Sequence, residues 1–323
     1  MHIHCHRLGA LAGLLQNRAD LLEPLTAHVT WIVLLAHSWS LHGLNKIVNR
    51  FLEPFGARIS GLDLARPIGA KRAEFLRALL FSHQFLVFRN QAMSPSQQVR
   101  FSHCFGALEP GLSMRPDEHK VPGHPEVLYL SNKPGSATSE YGMGWHSDGL
   151  AYAKTPHGAT ILHCLSCPSG AGATAFADQY AAYASLSDET TRELSDLAWH
   201  LPRIPHSEIP ESGGLAHPFF RTHAATGRRF VFCAPNARQI RGLSVDESAP
   251  LLQRVHSVQA DEAWVATHEW NEGDVVVWEN ATLLHTRVDR VDFHAMGLRA
   301  MHRTATQGDY PAIVCEPADE IVV

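Results

Sequence analysis

From about residue 46 onward the chain is a series of short apolar runs, each closed by Gly, Pro, Asn or Asp. Runs of that length and punctuation fit strands and leave little room for long helices. Gln84 to Arg89 is apolar almost throughout, as for a strand buried on both faces. Ala57 to Gly61, Val127 to Ser131, Thr160 to Leu165, Arg229 to Cys233, Trp264 to Trp270, Asp274 to Trp278 and Leu298 to Ala305 continue the strand pattern. Helical spacing is confined to a few segments. Lys71 to Ser82 has apolar residues at helical intervals. Ser94, Pro95 and Gln97 form a capping box with proline at the first helical position. Ser187-Asp188-Glu189 opens a helix expected to reach about His200, and Ser244 to Glu247 caps one expected to reach about Val258. Residues 132–143 and 201–218 read as loops. The expected fold is mostly β with flanking helices (α+β), a barrel or jelly-roll core with helices packed outside.

Composition narrows the function classes. Hydrophobic residues make up 45% of the 323, which excludes a wholly disordered chain. Lys and Arg number 27 against 32 Asp and Glu, so no broad basic surface is implied and no nucleic-acid partner is expected. Residues 24–45 carry no charged side chain, but Pro24, three histidines and a short apolar centre argue against a membrane span. No basic segment precedes it as in a signal peptide. Residues 1–45 are therefore read as an extension outside the fold and 46–323 as one domain. The six cysteines are scattered, unlike a secreted disulfide framework, which fits a cytoplasmic protein. Cys164 and Cys167 form a CxxC with no second pair, which counts against a zinc ribbon and leaves ordinary packed thiols.

The 22 histidines are the compositional outlier. A histidine and a carboxylate two apart on a strand share a face and can reach one metal ion. Three such pairs occur: His124/Glu126, His146/Asp148 and His206/Glu208. The first lies beside Pro125 in a turn, and the third sits between Pro205 and Pro210, which breaks strand geometry. His146/Asp148 lies between Gly144-Trp145 and Gly149, where glycine allows a ligand to approach closely. His285 is the best third ligand. Two histidines and one carboxylate on one side of a metal leave open positions, as in non-heme Fe(II) oxygenases, although zinc hydrolases use the same set. Arg299 and Arg303 share one face of an alternating strand. Two inward guanidinium groups are costly to bury without anions, so they fit an anionic co-substrate and an anionic substrate.

These motifs, taken in order, resemble the TauD/TfdA family of Fe(II)- and 2-oxoglutarate-dependent dioxygenases. The resemblance spans roughly residues 48–312 and rests on Trp145-His146-Ser147-Asp148, Gly172-Ala173-Thr174, Tyr180-Ala181-Ala182-Tyr183 and Arg221-Thr222-His223. It continues through Gly273-Asp274, Trp278-Glu279-Asn280, His285 and Arg299 to Arg303. It implies a double-stranded β-helix (jelly-roll) fold. It also implies that His146, Asp148 and His285 are the catalytic metal ligands for Fe(II). Thr174 and Arg299 would hold the far carboxylate of 2-oxoglutarate, with O2 as the second co-substrate. Arg303 would face the anion of a small organic substrate that is hydroxylated at a C–H bond, giving succinate and CO2. A homo-oligomer, dimer or tetramer, is also implied. Phe105-Gly106-Ala107-Leu108 is followed by Glu109 rather than the histidine of taurine dioxygenases, so the phenoxyacetate branch is the nearer likeness. The segment from His285 to Arg299 is longer than the family pattern. Two other readings of the same residues are a metal-dependent hydrolase and a non-catalytic anion-binding protein.

Overall fold

The structure is a computed structural model that describes residues 48–110, 115–139, 141–202 and 214–315. The extension read at 1–45 and the His206/Glu208 pair lie outside these residues. An eight-stranded sheet forms the frame. From edge to edge its strands are Val48–Phe51, Ala57–Ile59, Phe85–Phe88, Val275–Glu279, His157–Ser166, Ala300–Gln307, His124–Ser131 and Lys120–Val121. All neighbours are antiparallel except Ala57–Ile59 beside Phe85–Phe88. A three-stranded sheet of Val265–His268, Thr174–Asp178 and Leu283–Arg287 faces it. The fold is mixed α/β with several antiparallel sheets.

Side-chain alternation decides what each face of the large sheet meets. Phe85, Val87, Leu162, Cys164, Val276, Trp278 and Met301 point inward and pack on Phe176, Ala266 and Leu283 of the small sheet. Their neighbours Leu86, Phe88, Ile161, Val275 and Val277 point outward onto the helices Ala70–His83 and Pro95–Ser102. Continuous apolar runs in the sequence are therefore strands covered on both faces. Arg303, two residues from Met301, shares the inward direction, and His302 faces the other way, as expected. The capping boxes at Ser94/Gln97 and Ser244/Glu247 are both formed.

A second apolar core lies around Trp199, Phe219, Phe230 and Val255, and here the sequence reading needs correction. The helix opened by Ser187 ends at Leu194, and Ala198–Pro202 is a strand. Its Trp199 and Leu201 alternate inward, and Trp199 Nε1 donates to the Phe232 carbonyl at 2.6 Å. Gly214–Pro218, expected as loop, is its antiparallel partner. Burial of an alternating pair prevails over the weak helical signal across 195–200. No helix among the described residues is long and apolar enough to cross a membrane.

His217 sits wholly inside this second core, its ring stacked on Trp199 with centroids 5.0 Å apart. Burial, reinforced by Arg221, lowers its pKa to about 3. The unfolded chain therefore binds a proton there from near pH 6.5 downward that the folded chain refuses until about pH 3. Stability contributed by this site is complete above pH 6.5 and falls as acid is added, by up to about 1.4 kcal/mol per pH unit. Urea unfolding of wild type and His217→Phe between pH 7 and pH 4 should show a shallower acid loss in the variant. Equal slopes would remove His217 from the account.

Candidate active site

His146 does not lie in a regular strand. It is joined to His285 by an isolated antiparallel bridge, with His146 N–H donating to the His285 carbonyl at 3.0 Å and the reverse bond at 2.8 Å. This replaces the strand geometry expected for the His-x-Asp pair. Asp148 begins the next turn, where Gly149 takes φ +82°. A Cβ at Gly149 would lie 2.7 Å from the His157 backbone nitrogen, so glycine is required by both conformation and space. His285 itself is mid-strand in Leu283–Arg287, paired with Phe176 of the small sheet. The two imidazole centroids are 4.2 Å apart.

The three side chains converge. One ligand atom from each of His146, Asp148 and His285 lies within 4.8 Å of the others. The His146 ring donates through Nδ1 to the Gly144 carbonyl at 2.7 Å, which leaves the Nε2 lone pair toward Asp148. Burial, helped by nearby His146, lowers the His285 pKa to about 3 and keeps that ring neutral. Burial alone would raise the Asp148 pKa, but Arg303, His285 and His146 outweigh it and hold the carboxyl ionised far below its usual range. Two imidazoles and one carboxylate with donor atoms converging are the donor set a divalent first-row metal takes.

Thr160, which the sequence reading did not single out, and the Trp278-Glu279-Asn280 motif, to which it gave no role, hold this constellation. Thr160 Oγ1 donates to Asp148 Oδ2 at 2.7 Å. Asn280 Nδ2 donates to the same Thr160 oxygen at 2.8 Å, while Asn280 Oδ1 accepts from Trp278 Nε1 at 2.9 Å and from the Asp148 amide at 3.3 Å. Trp278-Glu279-Asn280 thus sets the pose of the carboxylate from an adjacent strand. Glu279 points away and accepts from buried His223 at 2.7 Å, tying the second core to the frame.

A cavity of about 360 Å³ opens over the cluster. Thr174, Arg299 and Arg303 all line it together with His146, Asp148 and His285. Thr174 Oγ1 accepts from Trp270 Nε1 at 3.0 Å, and Arg299 Nε donates to the Gly172 carbonyl at 3.3 Å. Arg303 Nη2 lies 2.9 Å from Asp148 Oδ1 and 3.2 Å from His157 Nδ1. Arg303 is therefore engaged with the ligand carboxylate as well as facing the cavity. Arg115, Tyr141, Met143, Tyr152 and Arg287 complete much of the wall. They come from the segments read as loops or left unassigned, and no local spacing marks them. The long segment before Arg299 folds as a short helix, Phe293–Met296, anchored by Asn132 Nδ2 to the Val291 and Gly297 carbonyls at 2.9 and 3.0 Å. His124, Glu126, His163 and His302 lie outside the cluster.

Thr160→Val preserves shape but leaves Asp148 and Asn280 without their shared hydroxyl. Metal affinity, read by titration with Mn(II), should fall by about ten- to a hundredfold with the fold unchanged by circular dichroism. Wild-type affinity in this variant would show that the hydroxyl does not position the carboxylate.

The chain is similar to known proteins over most of its length. Residues 48–305 match the family described as Taurine catabolism dioxygenase TauD, TfdA family. The alpha-ketoglutarate-dependent 2,4-dichlorophenoxyacetate dioxygenase of Cupriavidus pinatubonensis is 29% identical over 288 residues, covering 82% of this chain and 99% of that protein. The alpha-ketoglutarate-dependent sulfate ester dioxygenase of Pseudomonas putida is 26% identical, covering 84% of this chain and 92% of its own length. The crystal structure of a taurine dioxygenase from Burkholderia xenovorans superposes with a TM-score of 0.70 at 27% identity, covering 85% of this chain and 93% of that one.

Proposed function

Because the chain belongs to the TauD/TfdA family of 2-oxoglutarate-dependent dioxygenases, we propose that it hydroxylates a C–H bond of a small organic anion. The observation that carries the reading is one cavity onto which His146, Asp148 and His285 open together with Thr174, Arg299 and Arg303. His146, Asp148 and His285 would hold Fe(II). Bound Fe(II) and 2-oxoglutarate supply oxidation of the keto acid by O2 to succinate and CO2, coupled to hydroxylation of the substrate.

The chain's own residues bind and orient. Arg299 presents a charged fork to the far carboxylate of 2-oxoglutarate, and the Thr174 hydroxyl, set by Trp270, lies on the same wall. Fixing that end determines where the keto end lies relative to the ligand cluster. Arg303 offers its remaining donors to the substrate anion while one nitrogen stays with Asp148. Leu130, Leu162 and Trp278 form an apolar wall for the body of the substrate and exclude water from it. This combination supports a carboxylate, sulfonate or sulfate ester carried on an apolar group, with phenoxyalkanoates foremost. The jelly-roll description suits the two facing sheets. Residues 46–323 are read as the dioxygenase domain and 1–45 as lying outside it.

Succinate formation from 2-oxoglutarate in air with Fe(II) and ascorbate tests the proposal against phenoxyalkanoates, alkyl sulfates, sulfonates and small carboxylates. One class should stimulate turnover, and Asp148→Ala should abolish it. Arg299→Ala should raise the KM for 2-oxoglutarate, and Arg303→Ala should raise that for the substrate, each by at least about tenfold. An unchanged substrate KM in Arg303→Ala would overturn its assignment. Failure to bind either Fe(II) or 2-oxoglutarate would overturn the function.

A further inference from the structure

The turn that cradles Arg299 carries a pair of thiols that the proposed reaction does not use. Cys164 is buried near the end of the strand His157–Ser166, packed among Leu162, Trp270 and Met301. Cys167 follows one residue beyond that strand and is half-buried, next to the exposed Ser169 and Gly170. Cys167 packs against the same apolar cluster that holds Cys164, and neither cysteine is in a disulfide. Cys167 Sγ also donates to the Ala171 carbonyl at 3.3 Å. The next residue, Gly172, accepts from Arg299 Nε at 3.3 Å. A Cβ at Gly172 would lie 2.7 Å from that nitrogen, so the turn is packed directly on the guanidinium stem.

We propose that Cys164 and Cys167 are a redox-reactive dithiol that closes to a disulfide under peroxide and thereby loosens the Arg299 cradle, weakening 2-oxoglutarate binding. The second half rests on the reading of Arg299 given above. The sequence reading took these cysteines as ordinary packed thiols, because a CxxC without a second pair says nothing about where its sulfurs point. Their packing in one cluster, three residues apart, brings them together. A half-buried thiol beside a buried one is the arrangement of an attacking and a resolving cysteine. The neighbouring Cys164 lowers the Cys167 pKa and Arg299 assists it, while burial, Asp289 and Asp274 oppose it. Cys167, with burial, pushes the Cys164 thiol up, which keeps Cys164 protonated until it is called on.

The chemistry balances in two steps. The Cys167 thiolate attacks one peroxide oxygen, the O–O bond breaks, and the departing hydroxide takes up the thiol proton as water, leaving a sulfenic acid. The Cys164 sulfur then attacks the Cys167 sulfur, and the S–O bond breaks with loss of a second water. Both sulfurs are oxidised by one electron each, and the peroxide is reduced by two. The Cys167 proton that bonded Ala171 is gone, and its sulfur is drawn toward Cys164. The Ala171-Gly172 turn moves with it, and Arg299 moves with the turn.

The test uses the full chain loaded with Mn(II) in place of Fe(II), titrated with hydrogen peroxide, alkylated and mapped by peptide mass. The expected product is a Cys164–Cys167 crosslink, two hydrogens lighter, at peroxide levels that leave buried Cys104 and Cys233 alkylatable after denaturation. The 2-oxoglutarate dissociation constant should rise by about tenfold in the crosslinked protein and return on treatment with a dithiol reductant. Cys167→Ser should bind 2-oxoglutarate as the reduced wild type does and ignore peroxide, and Cys164→Ala is the second variant should serine perturb packing. Overoxidation of Cys167 without a crosslink would overturn the dithiol. A crosslink with unchanged 2-oxoglutarate affinity would overturn the coupling. Arg299→Ala in reduced protein separates the two readings: if it binds 2-oxoglutarate normally, the Arg299 assignment falls and the coupling with it, while peptide mass alone decides the crosslink.

Discussion

The Asp148 carboxylate is buried against the Arg303 guanidinium, with two imidazoles beside it. A charge taken out of water is costly unless its remaining lone pairs are met, and the local structure is organised to meet them. Thr160 takes one oxygen and Arg303 the other. Asn280 then fixes both Thr160 and the Asp148 backbone. The price of this burial is offset only when every partner is in place, which makes the constellation rigid before any metal arrives. Rigidity is what a ligand set needs if it is to leave some metal positions open.

That requirement reaches across the fold. Asp148 and His146 belong to a loop, His285 to the small sheet, and Thr160, Asn280 and Arg303 to the large sheet or its edge. The backbone bridge between His146 and His285 fastens the loop to the small sheet. The inward apolar layer of Phe85, Phe176 and Trp278 fastens the small sheet to the large one. Large-to-small changes in that layer would shift one ligand relative to the others, so packing distant from the metal is part of the site's geometry.

The residues legible in the sequence were those whose role follows from chemistry and period. His146, Asp148 and His285 could be selected because a metal needs those ligand types, and Arg299 and Arg303 because strand alternation puts them on one side. Strands buried on both faces were legible from their apolar runs. Asn132, Thr160 and Tyr152 were not, and Asn280 was legible only as part of a motif without a role, because a polar residue's partner is fixed by tertiary placement and leaves no periodic trace. The same holds for Ala198–Pro202, where five residues of alternation could not be distinguished from the tail of a helix without the partner strand Gly214–Pro218. Arg115 lines the cavity from an irregular segment, where propensity is least informative.

One strand sets the scale of the cavity. Arg299, just before the strand Ala300–Gln307, and Arg303 within it are separated by four residues, about 13 Å along an extended chain. Arg303 is held at the metal end by Asp148, and Arg299 at the other end by the Gly172 turn. On the proposed assignment, a co-substrate anchored at Arg299 would span from that turn toward the three-residue cluster, and a substrate anion at Arg303 would come in beside the cluster itself. Two anions so held would be kept apart by backbone geometry rather than by selectivity of either guanidinium. The place of the reacting carbon would then follow from the length of the substrate between its anion and its apolar body, against the wall of Leu130, Leu162 and Trp278.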